Sequence, residues 1–130
     1  MKTSLLLFLG IFLATLAGQT TAPAPFLALG PMIGHTGPQD ARIWAKASHA
    51  ARLSVRIGQT ADLSDSRVVE GPALGRESDF MGHALVTGLQ PATSYFYAIL
   101  LDGQTAMARP YPAFTTAPAP GAAGKTRIAF

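Results

Sequence analysis

Residues 89–97, read as Leu89-Gln90-Pro91-Ala92-Thr93-Ser94-Tyr95-Phe96-Tyr97, decide the fold. Pro91 stiffens a turn, because its ring fixes φ and removes a backbone donor. Thr93 then opens a strand in which Tyr95, Tyr97 and Ile99 alternate with Phe96, Ala98 and Leu100. A period of two places the first set on one face and the second on the other. The strand stops at Asp102-Gly103, a pair suited to a hairpin turn. The chain returns through Thr105 to Thr115 and closes on AFTT. Tyr95 stands where a tyrosine corner forms, with its hydroxyl bonded back to the backbone near the preceding turn and its ring packed inside. Leu89, Pro91 and Tyr95 therefore read as structural. None of these residues builds a catalytic site, so any enzymatic function is expected beyond Phe130.

Moving outward, the other signals are also β. Residues 26–33 are apolar but broken by Gly30-Pro31, which suits an edge strand or a bulge. ARIWAKA, residues 41–47, is a second strand. Residues 51–58 give the cleanest alternation, with Leu53, Val55 and Ile57 on a buried face and Arg52, Ser54 and Arg56 on a wet one. Residues 67–70 form a short strand ended by Gly71-Pro72, and residues 80–87 form another with Phe80, Gly82, Ala84 and Val86 on one face. No stretch of helical length carries the 3.6-residue period apart from the N-terminal segment. About seven short strands separated by turns indicate an all-β sandwich. The spacing of Leu89, Pro91, Thr93 and Tyr95 resembles the way fibronectin-III-like and immunoglobulin-like sandwiches enter a late strand.

The ends have a different character. Lys2 precedes an apolar run from Leu5 to Leu16, too short for a transmembrane span of about 20 residues but suited to a secretory signal. Thr15-Leu16-Ala17 supplies small residues for cleavage, so residues 1–17 are expected to be a signal peptide and no stable membrane span remains afterwards. Residues 18–25 form a Pro-rich spacer and residues 117–124, APAPGAAG, a second linker. The sandwich is assigned to residues 26–116 between them. The absence of cysteine in an exported chain means the core forms by packing alone and favours a bacterial, secreted or periplasmic protein using the general secretory route. The net charge of +3 comes from basic residues spread along the chain, with no basic run. That argues against nucleic acid or an anionic membrane as a partner.

Trp44 is the only tryptophan. Strict alternation sets it with Arg42 and Lys46, and sets Ile43 with Ala41 and Ala45. It is expected in the core as a structural residue; an outward Trp44 would instead offer a ring for ligand stacking. Phe96, Ala98 and Leu100 are outward in parity yet apolar, which predicts a face packed against another domain. His35, His49 and His83 lie in separate segments with no metal-ligand spacing, and there is no thiolate. No G-x-S-x-G turn and no glycine-rich phosphate loop occurs. Neither a catalytic residue nor a cofactor is therefore assigned to this chain.

Three stretches carry a family resemblance: FLALGPMIGHTGPQDARIWAKAS, HALVTGLQPATSYFYAILLDGQ and AFTTAPAPGAAGKTRIAF. Together they resemble the N-terminal domain of the alkaline phosphatase D family. The N-terminal domain of purple acid phosphatases is similar too over HALVTGLQPATSYFY. The resemblance implies a fibronectin-III-like domain placed before a metallophosphoesterase domain that hydrolyses phosphate mono- or diesters. It implies divalent ions such as calcium, iron or zinc in that downstream domain, and an intramolecular catalytic domain as partner. Residues 125–130, KTRIAF, resemble the first strand of that domain. None of the family's metal-ligand motifs falls within this sequence. The competing reading is a complete secreted module that binds carbohydrate or protein.

Overall fold

The structure is a computed structural model that describes residue 18 and residues 21–124. The expected signal peptide and the expected strand over residues 125–130 lie outside the described residues. Eight strands make an all-β sandwich: β1 (Leu27–Thr36), β2 (Asp40–Ala47), β3 (Ala51–Gly58), β4 (Arg67–Leu74), β5 (Met81–Thr87), β6 (Ser94–Leu101), β7 (Gln104–Thr105) and β8 (Ala113–Thr115). One sheet has the order β1-β2-β5. The other runs β4-β3-β6-β7, with β8 also paired to β6. Every pairing is antiparallel.

The core is the set of inward residues from both sheets. Ile43, Leu53, Val55, Val86 and Ile99 have no exposed surface, and Ala41, Ala45 and Ala47 are equally closed. Burying each of the Ile, Leu and Val side chains contributes about 1.5–3 kcal/mol, which makes this layer the main source of stability.

The parity of β2 corrects the sequence reading of Trp44. Ile43 faces the core at 0 % exposure, whereas Trp44 is half-buried on the outer face of the three-stranded sheet. The reason is the cost of charge. An inward Trp44 would carry Arg42 and Lys46 inward with it, and each unpaired buried charge costs several kcal/mol. That exceeds what one indole gains by burial. The Trp44 ring lies instead over Gly30, where φ is +93 and a Cβ would meet the ring at 3.3 Å.

Other details depart from expectation in informative ways. β4 does not stop at Gly71-Pro72 but continues to Leu74, with an irregular register between Arg52 and Ser54 on its neighbour. It lies at the edge of its sheet, where a proline costs no ladder bond. The single return strand over residues 105–115 is two short strands separated by residues 106–112. Residues 76–78 form one 3-10 turn. On β3, Arg52 is exposed and Arg56 half-buried, but Ser54 between them is buried at 4 % exposure.

The apolar stripe on β6 is not an open surface. Ala98 and Leu100 are 0 % and 3 % exposed, and Phe96 is half-buried. β6 is the central strand, flanked by β3 on one edge and by β7 and β8 on the other. Across the ladder Ala98 faces Arg56, and Leu100 faces Ser54 and Thr105. A long arginine stem can cover apolar surface while its head stays wet. The expectation that all three side chains stand open for a second domain therefore fails for Ala98 and Leu100.

The two ends of the sandwich are fastened by different turns. At the first end, Ser48 N–H donates to Phe26 O at 2.9 Å and Phe26 N–H donates to Ser48 Oγ at 3.1 Å. At the other, the Tyr95 hydroxyl accepts from Gln90 N–H at 3.0 Å, which closes a tyrosine corner. Its ring stacks on Phe114 at 6.1 Å, and Tyr97 meets the same ring edge-on at 5.9 Å. Thr116, 2 % exposed, donates from Oγ1 to Gln90 O at 2.5 Å and accepts from Thr93 N–H at 2.9 Å. Ala117 follows, donating to Gly37 O and accepting from Ala92 N–H, both at 3.0 Å.

Candidate functional site

Most of the exposed large apolar side chains on strands among the described residues lie on the outer side of β1, β2 and β5, with Val68 of β4 on the other sheet. Strand parity and register fix the rows of that outer side. One row sets Met32 beside Trp44 and Trp44 beside His83. The next sets His35 beside Arg42 and Arg42 beside Leu85. A third sets Leu29 beside Lys46 and Lys46 beside Met81. Three of the aliphatic side chains are widely open: Leu29 at 58 %, Met32 at 61 % and Leu85 at 49 % exposure. Large apolar groups gathered this densely mark a contact surface rather than scattered surface residues.

Polar groups interrupt this apolar ground at fixed places. Lys46 Nζ meets the Asp79 carboxylate at 2.5 Å at one end. His35 Nε2 stands 3.6 Å from an Asp40 carboxylate oxygen at the other. A cleft of about 450 Å³ opens there, lined by Gly34, His35, Asp40, Arg42 and His83. Arg42 has no acidic partner among the described residues. Asp40 shares the lining, so the cleft sets one guanidinium and one carboxylate beside two imidazoles; of these groups Arg42 is the one shaped to grip a partner's carboxylate. No group of three or more His, Cys, Asp or Glu side chains capable of holding a metal ion occurs among the described residues.

The structure distributes the sequence-predicted residues over three regions. Leu89, Pro91 and Tyr95 come together at the β5–β6 turn, where Leu89 is 4 % exposed and Thr93 Oγ1 donates to Pro91 O at 2.9 Å. They hold the turn and touch no cleft on the open face. Phe96, Ala98 and Leu100 lie on β6 in the other sheet. Trp44 alone belongs to the open face. Sequence reasoning missed the cleft because His35 and His83 are brought together only through the registers of β1 with β2 and β2 with β5. No local spacing signals such a pairing.

The fold defines a class: an antiparallel β-sandwich of the fibronectin-III-like kind. The chain belongs to the family described as Domain of unknown function (DUF7800), which matches residues 24–119. The comparison with curated proteins finds no match. Among solved structures, PhoD is similar with a TM-score of 0.65 and 17 % identity over 78 % of this chain. The match spans 21 % of PhoD, so the chain corresponds to about a fifth of that protein. The sensor domain of the anti-sigma factor RsgI4 from Pseudobacteroides cellulosolvens is similar with a TM-score of 0.52 and 14 % identity, over 76 % of this chain and 100 % of that domain. A redesigned β-sandwich protein gives a TM-score of 0.50 and 22 % identity, over 75 % of this chain and 98 % of its own. At these identities the likeness is one of fold.

Proposed function

We propose that the chain is the N-terminal accessory sandwich of an exported alkaline phosphatase D-like metallophosphoesterase. Phosphate mono- or diester hydrolysis would then belong to a downstream domain. The observation that carries the reading is the fold match to PhoD, in which a sandwich of this size accounts for only 21 % of the protein. The open face of β1, β2 and β5 supports it, because an accessory domain needs a surface for its neighbour. The described residues do not form a binuclear metal site. The divalent ions that the family resemblance implies are therefore assigned to the downstream domain, and no step is derived through them. Export by the general secretory route rests on the apolar run at residues 5–16.

The test has two parts. The reading frame after Phe130 is expected to continue into a domain rich in aspartate and histidine motifs. The full gene product is expected to hydrolyse p-nitrophenyl phosphate or its diester in a metal-dependent way, and the 130-residue chain is expected to show no turnover. Metal-dependent turnover by this chain alone overturns the assignment. So does a stop codon directly after Phe130.

A second reading has one observation in its favour. Trp44 stands on the outer face, where an indole could stack on a sugar ring, so a secreted carbohydrate- or protein-binding module remains the competitor. Titration calorimetry against a panel of oligosaccharides distinguishes it: saturable binding that Trp44→Ala removes supports the module.

A further inference from the structure

We infer that the open face of β1, β2 and β5 is the surface on which the sandwich docks the polypeptide that follows the linker at residues 117–124. An acidic side chain of that polypeptide would enter the cleft between His35, Arg42 and His83. The inference rests on reading the chain as an N-terminal accessory domain, and adds which face makes the contact and what chemistry the partner presents.

Three observations lead to this occupant. The first is composition. Trp44, Met32 and Arg42 share the face, and Trp, Met and Arg are enriched in protein interfaces. The second is charge. Of the two basic residues on this face, Lys46 is paired with Asp79, whereas Arg42 makes no ion pair among the described residues; Asp40 lies 3.6 Å from the His35 ring. Apolar cover without an acid would leave that guanidinium desolvated and unpaired, so the fitting partner is apolar with a carboxylate set opposite Arg42.

The third observation is where the linker leaves. Ala117 N–H is bonded to Gly37 O at 3.0 Å, in the turn between β1 and β2. A Cβ on Gly37 would meet His35 Nε2 at 3.3 Å and the Asp40 carboxylate. The linker thus starts beside the cleft. Ala117 is pinned to Gly37 and Ala92, and Ala122 N–H donates to Ala119 O at 3.0 Å, so the linker is folded into a turn at residues 119–122. The polypeptide beyond it is therefore kept near the cleft end of that face. Tethering by a short linker gives an effective concentration of about 1 mM, so even a local dissociation constant of about 0.1 mM leaves only about one molecule in ten undocked.

Hydroxyl-radical footprinting of the full gene product tests this, with each side chain's oxidation rate referred to the same protein unfolded in urea. Met32, 61 % exposed in the sandwich, is expected to be protected about tenfold, as the docked fraction requires. Phe26, 63 % exposed at the opposite end of the sandwich, serves as control and is expected to stay reactive. The double variant Arg42→Glu, Leu85→Glu is expected to release Met32 to the level of Phe26, while circular dichroism shows the sandwich still folded. Met32 as reactive as Phe26 in the unsubstituted protein, with a second domain present by mass, overturns the docking face and leaves the accessory role standing. A gene product with no second domain by mass overturns both. Protection of Met32 that rises with protein concentration alongside a dimeric mass assigns the face to a second copy and also overturns the inference.

Discussion

The placement of Ile43 inside and Trp44 outside makes an unusual quantitative claim: the smaller of two adjacent hydrophobic residues matters more. Ile43→Ala removes three carbons from a site with 0 % exposure. At about 0.8 kcal/mol per buried carbon the transfer loss is about 2.4 kcal/mol. The cavity left between the two sheets raises this toward about 4 kcal/mol, because sandwich cores collapse only partly. Trp44→Ala removes a much larger group, yet one already half in water and resting on Gly30 at the surface. Half the value of a buried large side chain is about 1 kcal/mol, and no closed cavity forms. For a domain of this size each kcal/mol moves the melting temperature by about 4–8 °C, so the shifts are about 10–30 °C for Ile43→Ala and about 4–8 °C for Trp44→Ala. Urea unfolding followed by far-ultraviolet circular dichroism is the suitable assay, since the fluorescence of Trp44 is lost in one variant. Both midpoints should fall with unchanged slope. A larger loss for Trp44→Ala than for Ile43→Ala refutes the parity of β2 and with it the open face.

Further outcomes test the fastenings at the linker end. Tyr95→Phe keeps the stack on Phe114 and removes only the acceptor for Gln90 N–H, so a loss of about 1 kcal/mol, at most about 3, is expected by urea unfolding. A neutral result refutes the tyrosine corner as a stabilising bond. Thr116→Val preserves shape but leaves Gln90 O and Thr93 N–H without their buried partner, with an expected cost of about 1–3 kcal/mol and faster hydrogen exchange at Thr93. Unchanged exchange there refutes the lock. In the loop after β3, hydrogen bonds from the Thr60 side chain, then from Gln59 and Thr60 N–H, hold the Asp65 carboxyl below its ordinary value of 3.8. A depressed carboxyl stabilises the fold above its unfolded value and loses that contribution as pH falls through the folded one. The Gln59 and Thr60 amide resonances should therefore titrate below pH 3.8, and a midpoint at or above it contradicts the bonds.

Much of the sandwich was legible because local rules and the fold agreed. The alternation of Leu53, Val55 and Ile57 with Arg52 and Arg56 gave a strand with one buried face, and β3 is that strand. Gly30-Pro31 marked an edge, and β1 is an edge with a register irregularity between Leu29 and Met32. The errors fall where parity alone was silent or misleading. Size favoured Trp44 for the core, whereas the charges on either side of Ile43 decided the matter. On β6, apolar parity on both faces reads locally as an exposed stripe. The position of β6 at the centre of its sheet was not visible locally, and it is this position that closes Ala98 and Leu100. The cleft was illegible for the same reason: His35 and His83 are 48 residues apart in number and meet only through β2.

The two edges marked by proline narrow how this sandwich can associate. β1 is one edge of the three-stranded sheet and carries Gly30-Pro31; β4 is one edge of the other and carries Gly71-Pro72, while β5 and β7 with β8 stand at the opposite edges. Proline lacks the N–H that an added strand would need, and irregular edges resist edge-to-edge pairing. Partner recognition by strand addition is thus disfavoured at β1 and β4. The β6 stripe is largely closed, which removes one alternative face. The outer side of β1, β2 and β5 offers a face-on contact that needs no strand addition. There Lys46 with Asp79, and His35 with Asp40, set charged groups at the two ends of an apolar field. Charged rims around an apolar centre keep a free surface soluble while reserving its middle for a matched partner. With strand addition blocked at β1 and β4, the face beside which the linker begins is suited to side-on docking.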